Sequence, residues 1–310
     1  LHLIRPFEPR DAEAAAAIWG AYDRLAPAGR DLVESYERRR LKSPGSLGWF
    51  VAETDGEVSG FADIRRREGD DGPARLRLYV RRDRWRLGAG TLLLQAAADW
   101  ARTRGAAELR TDCHGGDDES YVWALLHGFD LERERTESLL KLTGWDGTRF
   151  ARHLERITET GLFLAVLSLA ETQPYLQALY DLDAATAPDL PGFVGTVHPY
   201  EYWLDNHQHN PLTRLFALAL DGETAVAESV LALPRTPGGE AYTLYTCVRR
   251  EYRNRGLALA VKVLSIAAAR AAGATAMRTN NDPDNPAMLR VNEILGYKLV
   301  PGPRRMRMSL

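Results

Sequence analysis

The chain has 310 residues, 45% of them hydrophobic and 26% charged, with a net charge of −2. This length suits two domains of about 150 residues each, and the composition suits a globular protein able to bury substantial cores. A near-neutral balance without like-charge runs leaves no electrostatic footprint for nucleic acid. No apolar stretch approaches a membrane span either, so neither partner is expected.

The opening residues Leu1-His2-Leu3-Ile4-Arg5-Pro6 read as a strand and turn, with no apolar core of a signal peptide. Cys113 and Cys247 lie far apart, outside any metal-ligand spacing, where each reads as a small buried hydrophobe. A reducing cytoplasm is therefore the expected compartment.

In chain order, Leu3–Phe7 reads as a strand, Asp11–Leu25 as an alanine-rich amphipathic helix and Arg30–Leu41 as a charged one. Gly48–Glu53 and Val58–Arg66 read as a hairpin about Asp55-Gly56, and Ala74–Arg81 alternates as a half-buried strand does. Leu87–Arg104 is a helix stopped by Gly105, Ala107–Cys113 a strand, and Glu119–His127 a helix stopped by Gly128. Phe129–Arg133 and Ser138–Leu142 read as a closing pair of strands.

The order then recurs. Leu162–Leu169 is a strand, Tyr175–Ala187 a helix, Pro199–Gln208 a short aromatic helix, and Leu215–Leu220 with Ala225–Leu233 a hairpin about Asp221-Gly222. Strand Tyr242–Arg249, helix Leu257–Ala272, strand Thr275–Thr279 and helix Ala287–Leu295 follow, with Tyr297–Val300 and Met306–Leu310 closing the chain. Gly88 and Gly256, Gly105 and Gly273, Thr111 and Thr279, and Gly128 and Gly296 are each 168 residues apart. One offset held across four landmarks identifies a tandem duplication of one α/β unit. The expected division is residues 1–143, a packed connector 144–160 containing Trp145, Phe150 and Leu154, and residues 161–310. Each copy should be a mixed sheet of six or seven strands flanked by helices, not a parallel array.

Between strand Tyr242–Arg249 and helix Leu257–Ala272 lies Arg253-Asn254-Arg255-Gly256-Leu257-Ala258. A helix start leaves its first N–H groups unpaired and carries partial positive charge. Gly256 and Ala258 keep side-chain bulk away and Arg253 and Arg255 add charge, so the loop reads as a pyrophosphate cradle.

This Arg-x-x-Gly-x-Ala pattern after a strand resembles the acyl-CoA-binding motif of the GNAT acyltransferase superfamily. Both halves resemble GNAT domains, so the resemblance covers nearly the whole chain, in an arrangement similar to mycothiol synthase. It implies a splayed strand over Leu244–Val248, with the backbone N–H of Cys247 or Val248 facing the acyl carbonyl. The pyrophosphate would fall to the backbone of Arg253, Asn254, Arg255, Gly256, Leu257 and Ala258. The family's asparagine before the last helix, which reaches the pantetheine arm, falls at Asn285, with Asn280 close by. The first half keeps Gly88-Ala89-Gly90 but has Trp85 in place of Arg253, and its loop His114–Glu119 carries three carboxylates and no asparagine. Each carboxylate repels a phosphate by about 1 kcal/mol even in water-like dielectric, so the second half is the expected active copy and the first a degenerate one. The family often has a general-acid tyrosine four residues before the last helix's glycine; here Asn292 and Ala124 occupy those places.

The resemblance implies an N-acyltransferase that moves an acetyl or other acyl group from acyl-CoA, with acetyl-CoA as co-substrate, directly to a primary amine of a small molecule. The alternatives are a peptide or protein amine as acceptor, and a CoA-binding module without catalysis. Glu228, a carboxylate within an apolar strand, either lies on the strand's solvent-facing side or, if it faces the cleft, is the candidate base, because burial there would raise its pKa into a useful range. Tyr245 on the splayed strand could line the pocket or simply be core. The cluster His198–His209 would bind a cationic, partly apolar acceptor or serve as packing. His207 and His209 are two apart, not a zinc-site pair, so no metal is expected. Monomer and homodimer both remain compatible with the sequence.

Overall fold

The computed structural model describes residues 2–23, 25–42, 45–66, 72–114, 116–190, 193, 196–236, 238–281 and 285–310. In chain order the elements are β1 (His2–Pro6), α1 (Ala12–Gly20), α2 (Gly29–Lys42), β2 (Leu47–Thr54), β3 (Glu57–Arg65), β4 (Ala74–Val80), α3 (Ala89–Arg102), β5 (Glu108–Cys113), α4 (Asp118–Leu126) and β6 (Asp130–Lys141). There follow α5 (Ala151–Thr158), β7 (Phe163–Ser168), α6 (Leu176–Thr186), α7 (Tyr200–Gln208), β8 (Arg214–Asp221), β9 (Thr224–Ala232), β10 (Glu240–Val248), α8 (Leu257–Ala271), β11 (Ala276–Asn281), α9 (Pro286–Leu295) and β12 (Lys298–Ser309).

The chain forms two compact units, Leu1–Arg135 with Pro301–Leu310, and Thr136–Val300. These units depart from the contiguous division expected above. The runs read as two closing pairs of strands are two long strands, β6 and β12, each divided between the units. Glu132-Arg133-Glu134-Arg135 interrupts the apolar pattern of β6, so one strand reads as two.

In the N-terminal unit the sheet order is β1-β2-β3-β4-β5, followed by the C-terminal part of β12. All pairs are antiparallel except β4 with β5. On one face α3 covers a core of Ala62, Ile64, Leu76, Leu93, Leu109 and Met306. On the other, α1 and α2 cover an aromatic core of Phe7, Trp19, Trp49 and Phe61.

The C-terminal unit repeats the plan: β7-β8-β9-β10-β11, then the C-terminal part of β6, antiparallel except for β10 with β11. Here α8 covers one face and α6 the other. The segment expected as a connector is part of this unit. Trp145 and Phe150 are buried with Leu140, Ile266 and Leu295, and Trp145 Nε1 donates to the Leu295 carbonyl at 3.2 Å. The second hairpin turns at Gly222-Glu223, one residue later than read, because Asp221 still pairs with Thr224.

Strand pairing also measures how the copies differ. In the N-terminal unit Ile64 faces Leu76 and Asp63 faces Arg77, without interruption. In the C-terminal unit Leu231 faces Thr243 and Val230 faces Tyr245, so Leu244 is an extra residue, a β-bulge. The offset between copies is therefore 167 before Leu244 and 168 after it. The bulge turns Leu244 and Tyr245 together toward the α6 face, where both pack.

Candidate active site

In each unit the parallel strand pair separates. Pairing of β4 with β5 is recorded at Ala74 and Arg75, and that of β10 with β11 runs from Glu240 to Thr243, opposite Thr279. Beyond these points β10 keeps its ladder to β9 while its other edge opens. The Arg249 N–H donates to the Val226 carbonyl at 2.9 Å. By antiparallel alternation the N–H groups of Tyr245 and Cys247 also point into that ladder, and those of Thr246 and Val248 face the opening. Of the two expected donors toward an acyl carbonyl, Val248 is so placed. Cys247 is not, because its N–H belongs to the β9 side.

The cradle follows. Gly256 is the N-cap of α8 at φ +81°, a left-handed conformation suited to glycine, and no side chain caps the helix. The first-turn N–H groups of α8 therefore lack an intrahelical acceptor and fit an anionic diphosphate. A Cβ on Gly256 would also lie 2.4 Å from Cε1 of His153, whose Nε2 is 3.0 Å from the Gly256 carbonyl oxygen. Asn254, at φ +62°, shapes the turn. The arginines are more engaged than the motif suggests. Arg253 donates from Nε to the Val248 carbonyl at 3.1 Å and pairs with Asp189, which also holds Arg250. Arg255 lies over the Tyr252 ring and donates to the Glu251 carbonyl at 2.8 Å.

The first cradle has the same backbone. Arg86 is at φ +62° and Gly88 at φ +100°, and Trp85 Nε1 donates to the Val80 carbonyl at 2.8 Å, as Arg253 does to Val248. A cleft of about 620 Å³ opens beside it, lined by Leu76, Leu78, Val80, Trp123 and Phe129 among others.

The last helices begin alike. Asn285 Oδ1 accepts from the Met288 N–H at 3.1 Å, and Asp117 accepts from the Ser120 N–H at 3.0 Å. Asn285 thus caps α9 with its oxygen and keeps an amide N–H₂ that Asp117 lacks. Asn280 is exposed on β11. Residues 282–284 of this loop, and Gly115 of its counterpart, lie outside the described residues.

On the α6 face of the C-terminal unit, the structure gathers Glu228, Tyr245 and a residue the sequence reading missed, Asp183. Glu228 is 3% exposed, and Asp183, Glu228 and Cys247 each bring a ligand-capable atom within 4.8 Å of the others. Asp183 Oδ2 accepts from Trp203 Nε1 at 2.5 Å. Burial raises the pKa of Glu228 well above the usual carboxylate range, reinforced by the charge of Asp183, and burial raises Asp183 as well. Two carboxyls this close oppose each other's ionisation, so the pair holds a proton more firmly than either carboxyl would alone. The charge of Arg214 opposes this rise at Glu228, and burial lowers the pKa of Arg214 itself to about 10. Cys247 faces Glu228 at 4.0 Å as a thiol, with its pKa also pushed up by burial.

Tyr245 Oη is 2.8 Å from the Thr186 hydroxyl. His207 is buried, with Nε2 3.0 Å from Thr172 Oγ1 and its pKa lowered by burial to about 4, so it is a neutral packing residue. In the His198–His209 cluster, the contact of Trp203 with Asp183 is the link to this site.

Asn292, a catalytic candidate only by its place at the family's general-acid tyrosine, lies elsewhere, buried in α9. The α8 face carries a polar stripe where the N-terminal unit is apolar. Ser229, Thr243, Thr246, Lys262, Ser265, Asn292 and Tyr297 stand where the first copy has Ala62, Leu76, Leu78, Leu94, Ala97, Ala124 and Phe129. A signal for it existed in the sequence, since Lys262 is the lone charge in the run Leu257–Ala269.

This arrangement, a mixed sheet whose parallel pair splays beside an uncapped glycine-led helix, occurs twice, and it defines a tandem acyltransferase fold. The chain belongs to the acetyltransferase (GNAT) family, whose model matches residues 15–129 and 176–297. That membership places it among acyl-CoA-dependent acyltransferases.

Three solved structures share the fold across the chain. A tandem GNAT protein from the clavulanic acid biosynthesis pathway is 17% identical, with 100% of this chain and 98% of that one covered and a TM-score of 0.74. FemX is 14% identical over 99% and 97% of the two chains, with a TM-score of 0.63. A GCN5-related N-acetyltransferase from Sphaerobacter thermophilus is 18% identical over 99% and 95%, with a TM-score of 0.59. No curated protein matches the sequence. Among the described residues no helix is long and apolar enough to cross a membrane.

Proposed function

We propose that the C-terminal unit is the transferring one, moving an acyl group from acyl-CoA to the amine of a small molecule by direct attack. The observation that carries this reading is the pair of half-buried Asp183 and buried Glu228 beside the bulged strand β10. The N-terminal unit has Phe61 in place of Glu228 and no bulge between Leu76 and Arg77.

Bound acyl-CoA would supply an activated thioester. The first-turn backbone of α8 at Leu257 and Ala258, with Arg255 and Gly256 before it, would hold the diphosphate. The outward N–H groups of Thr246 and Val248 would bind the pantetheine arm and polarise the acyl carbonyl. The Asp183–Glu228 pair, in the state that holds one proton and one negative charge, would attract a cationic amine and take one proton from it before attack, freeing the nitrogen lone pair. As the tetrahedral adduct collapses, the carbon–sulfur bond breaks and the second N–H proton goes to the departing CoA thiolate. Tyr245 and Trp203 would wall the acceptor side. Asn292 cannot protonate a departing thiolate, but a thiol with a pKa of about 8.5 needs little assistance. The N-terminal unit has Asp117 at the place of Asn285, and this reading assigns it a supporting role.

The test is calorimetric titration of acetyl-CoA into the wild type and into Ala258→Glu and Gly90→Glu, equivalent first-turn positions in the two copies. One site per chain, lost only in Ala258→Glu, is the expected result and would justify an amine screen by thiol release. Loss only in Gly90→Glu would reverse the assignment of the units. Binding without thiol release to any amine would favour a sensing module.

A further inference from the structure

The polar stripe on the α8 face converges on the point where β10 and β11 separate. Thr243 is the last paired residue of β10, and its side chain is buried on this face. Beside it lies the Tyr297 ring, which follows the glycine that ends α9. Neither the Thr243 hydroxyl nor the Tyr297 phenol has a hydrogen bond of standard geometry among the described residues. Lys262 reaches the same point from α8, with Nζ 5.2 Å from the centroid of the Tyr297 ring.

Lys262 is 1% exposed, and the contact described for its Nζ is the Tyr297 ring. Burial alone lowers its pKa, to about 7, with no charged side chain contributing. A buried ammonium with a ring beside it, and two buried hydroxyls with only a poorly aligned contact to each other, are expensive unless something else satisfies them. The first copy satisfies no such need, because Leu94, Leu76 and Phe129 fill the same positions. The two faces of the opening thus differ in charge: Asp183 and Glu228 lie on the α6 side, and Lys262 lies on the α8 side.

We propose that Lys262, with Thr243 and Tyr297, forms a specificity pocket for an acyl group ending in a carboxylate, so that the preferred donor is the CoA thioester of a short dicarboxylic acid. This rests on the reading of the C-terminal unit as the acyl-CoA site. Thr243 stands at the inner end of the open edge that presents the N–H groups of Val248 and Thr246, so an acyl chain held on those groups would extend toward it. A substituent continuing past it meets Lys262 Nζ and the two hydroxyls. A carboxylate there would accept charge-assisted bonds from all three donors.

The test compares malonyl-CoA and succinyl-CoA with acetyl-CoA and butyryl-CoA by titration calorimetry, in the wild type, Lys262→Met and Lys262→Leu. The expected result is that at least one dicarboxylic thioester binds the wild type about 10-fold or more tightly than butyryl-CoA, a charge-assisted contact being worth that much. In both variants the two classes should bind within about 2-fold of each other, with butyryl-CoA affinity retained. At pH 8, repeating the titration in buffers of different ionisation enthalpy should show proton uptake with the dicarboxylic thioester in the wild type only, as Lys262 is recharged. Both variants remove a buried charge, so their thermal midpoints should rise and report intact folding. Equal affinity for charged and neutral thioesters, or a preference that survives Lys262→Met, overturns the pocket while leaving the acyl-CoA site standing. Failure of every thioester to bind overturns the acyl-CoA reading itself, and the pocket with it.

Discussion

The two units share backbone geometry but differ in what lines the opening in the sheet. Gly88 and Gly256 begin their helices alike, and Trp85 and Arg253 make the same bond to the carbonyls of Val80 and Val248. Above one opening lie Phe61 and the ring cluster of Trp19 and Tyr79; above the other lie Glu228 and Asp183. Below one lie Leu94 and Phe129; below the other, Lys262 and Tyr297. The cradle is a property of local backbone, so it persists in a copy whose side chains have turned to packing. Reactivity depends on buried polar groups, which each reduce stability and endure only where they are used.

The sharpest way to break this contrast is at the carboxylate pair. Replacing both carboxyls, Asp183→Asn with Glu228→Gln, keeps the shape but removes the pair's negative charge, and acyl transfer measured by thiol release should fall about 100-fold or more. Phe61→Leu, at the equivalent place, should leave turnover within about 2-fold; a comparable loss there would end the division of roles.

Next comes the bulge. Deleting Leu244 would give β10 the uninterrupted ladder of β4. Transfer should fall about 10- to 100-fold as Tyr245 and the open edge shift, with far less change in the affinity for CoA itself. Equal losses in both would mean that the bulge serves folding rather than transfer.

A third contrast is in stability against pH. Lys262 has its folded pKa lowered to about 7, below the value near 10.5 expected when unfolded. Between those values the unfolded chain binds more protons, so stability should rise with pH, by up to about 1.4 kcal/mol per pH unit. The excess stability of Lys262→Met over wild type in urea melts should therefore be largest at or below pH 7 and shrink toward pH 10. Leu94→Met should show no such trend.

The smallest effect is at the cradle's rim. Asp189, exposed and with its pKa lowered by hydrogen bonds from Arg250 and Arg253, holds both guanidinium groups. Asp189→Asn should free them and tighten CoA binding about 2- to 3-fold at low salt, an advantage that high salt should erase. Weaker binding in that variant would mean that the clamp positions the loop.

Much of this protein was legible in its sequence, because the signals are local. The duplication, the strand–helix order and both cradles depend on a few adjacent residues and on glycines at left-handed positions, which Gly88 and Gly256 supply wherever the chain folds. Glu228 stood out as a carboxylate in an apolar strand. The bulge left only a trace, an offset of 167 before Leu244 and 168 after, which the four landmarks used to find the repeat could not reveal because all lie downstream.

Tertiary structure alone decided three things. It gave the last ten residues to the N-terminal unit, because strand pairing ignores chain distance. It brought Asp183 against Glu228 across 45 residues of sequence, turning two ordinary carboxylates into a coupled pair with raised pKa values. And it sealed Lys262 beneath Thr243 and Tyr297, which no helical pattern announces. Burial and charge coupling arise between residues far apart in the chain, and these set the chemistry of a site whose backbone the sequence had already determined.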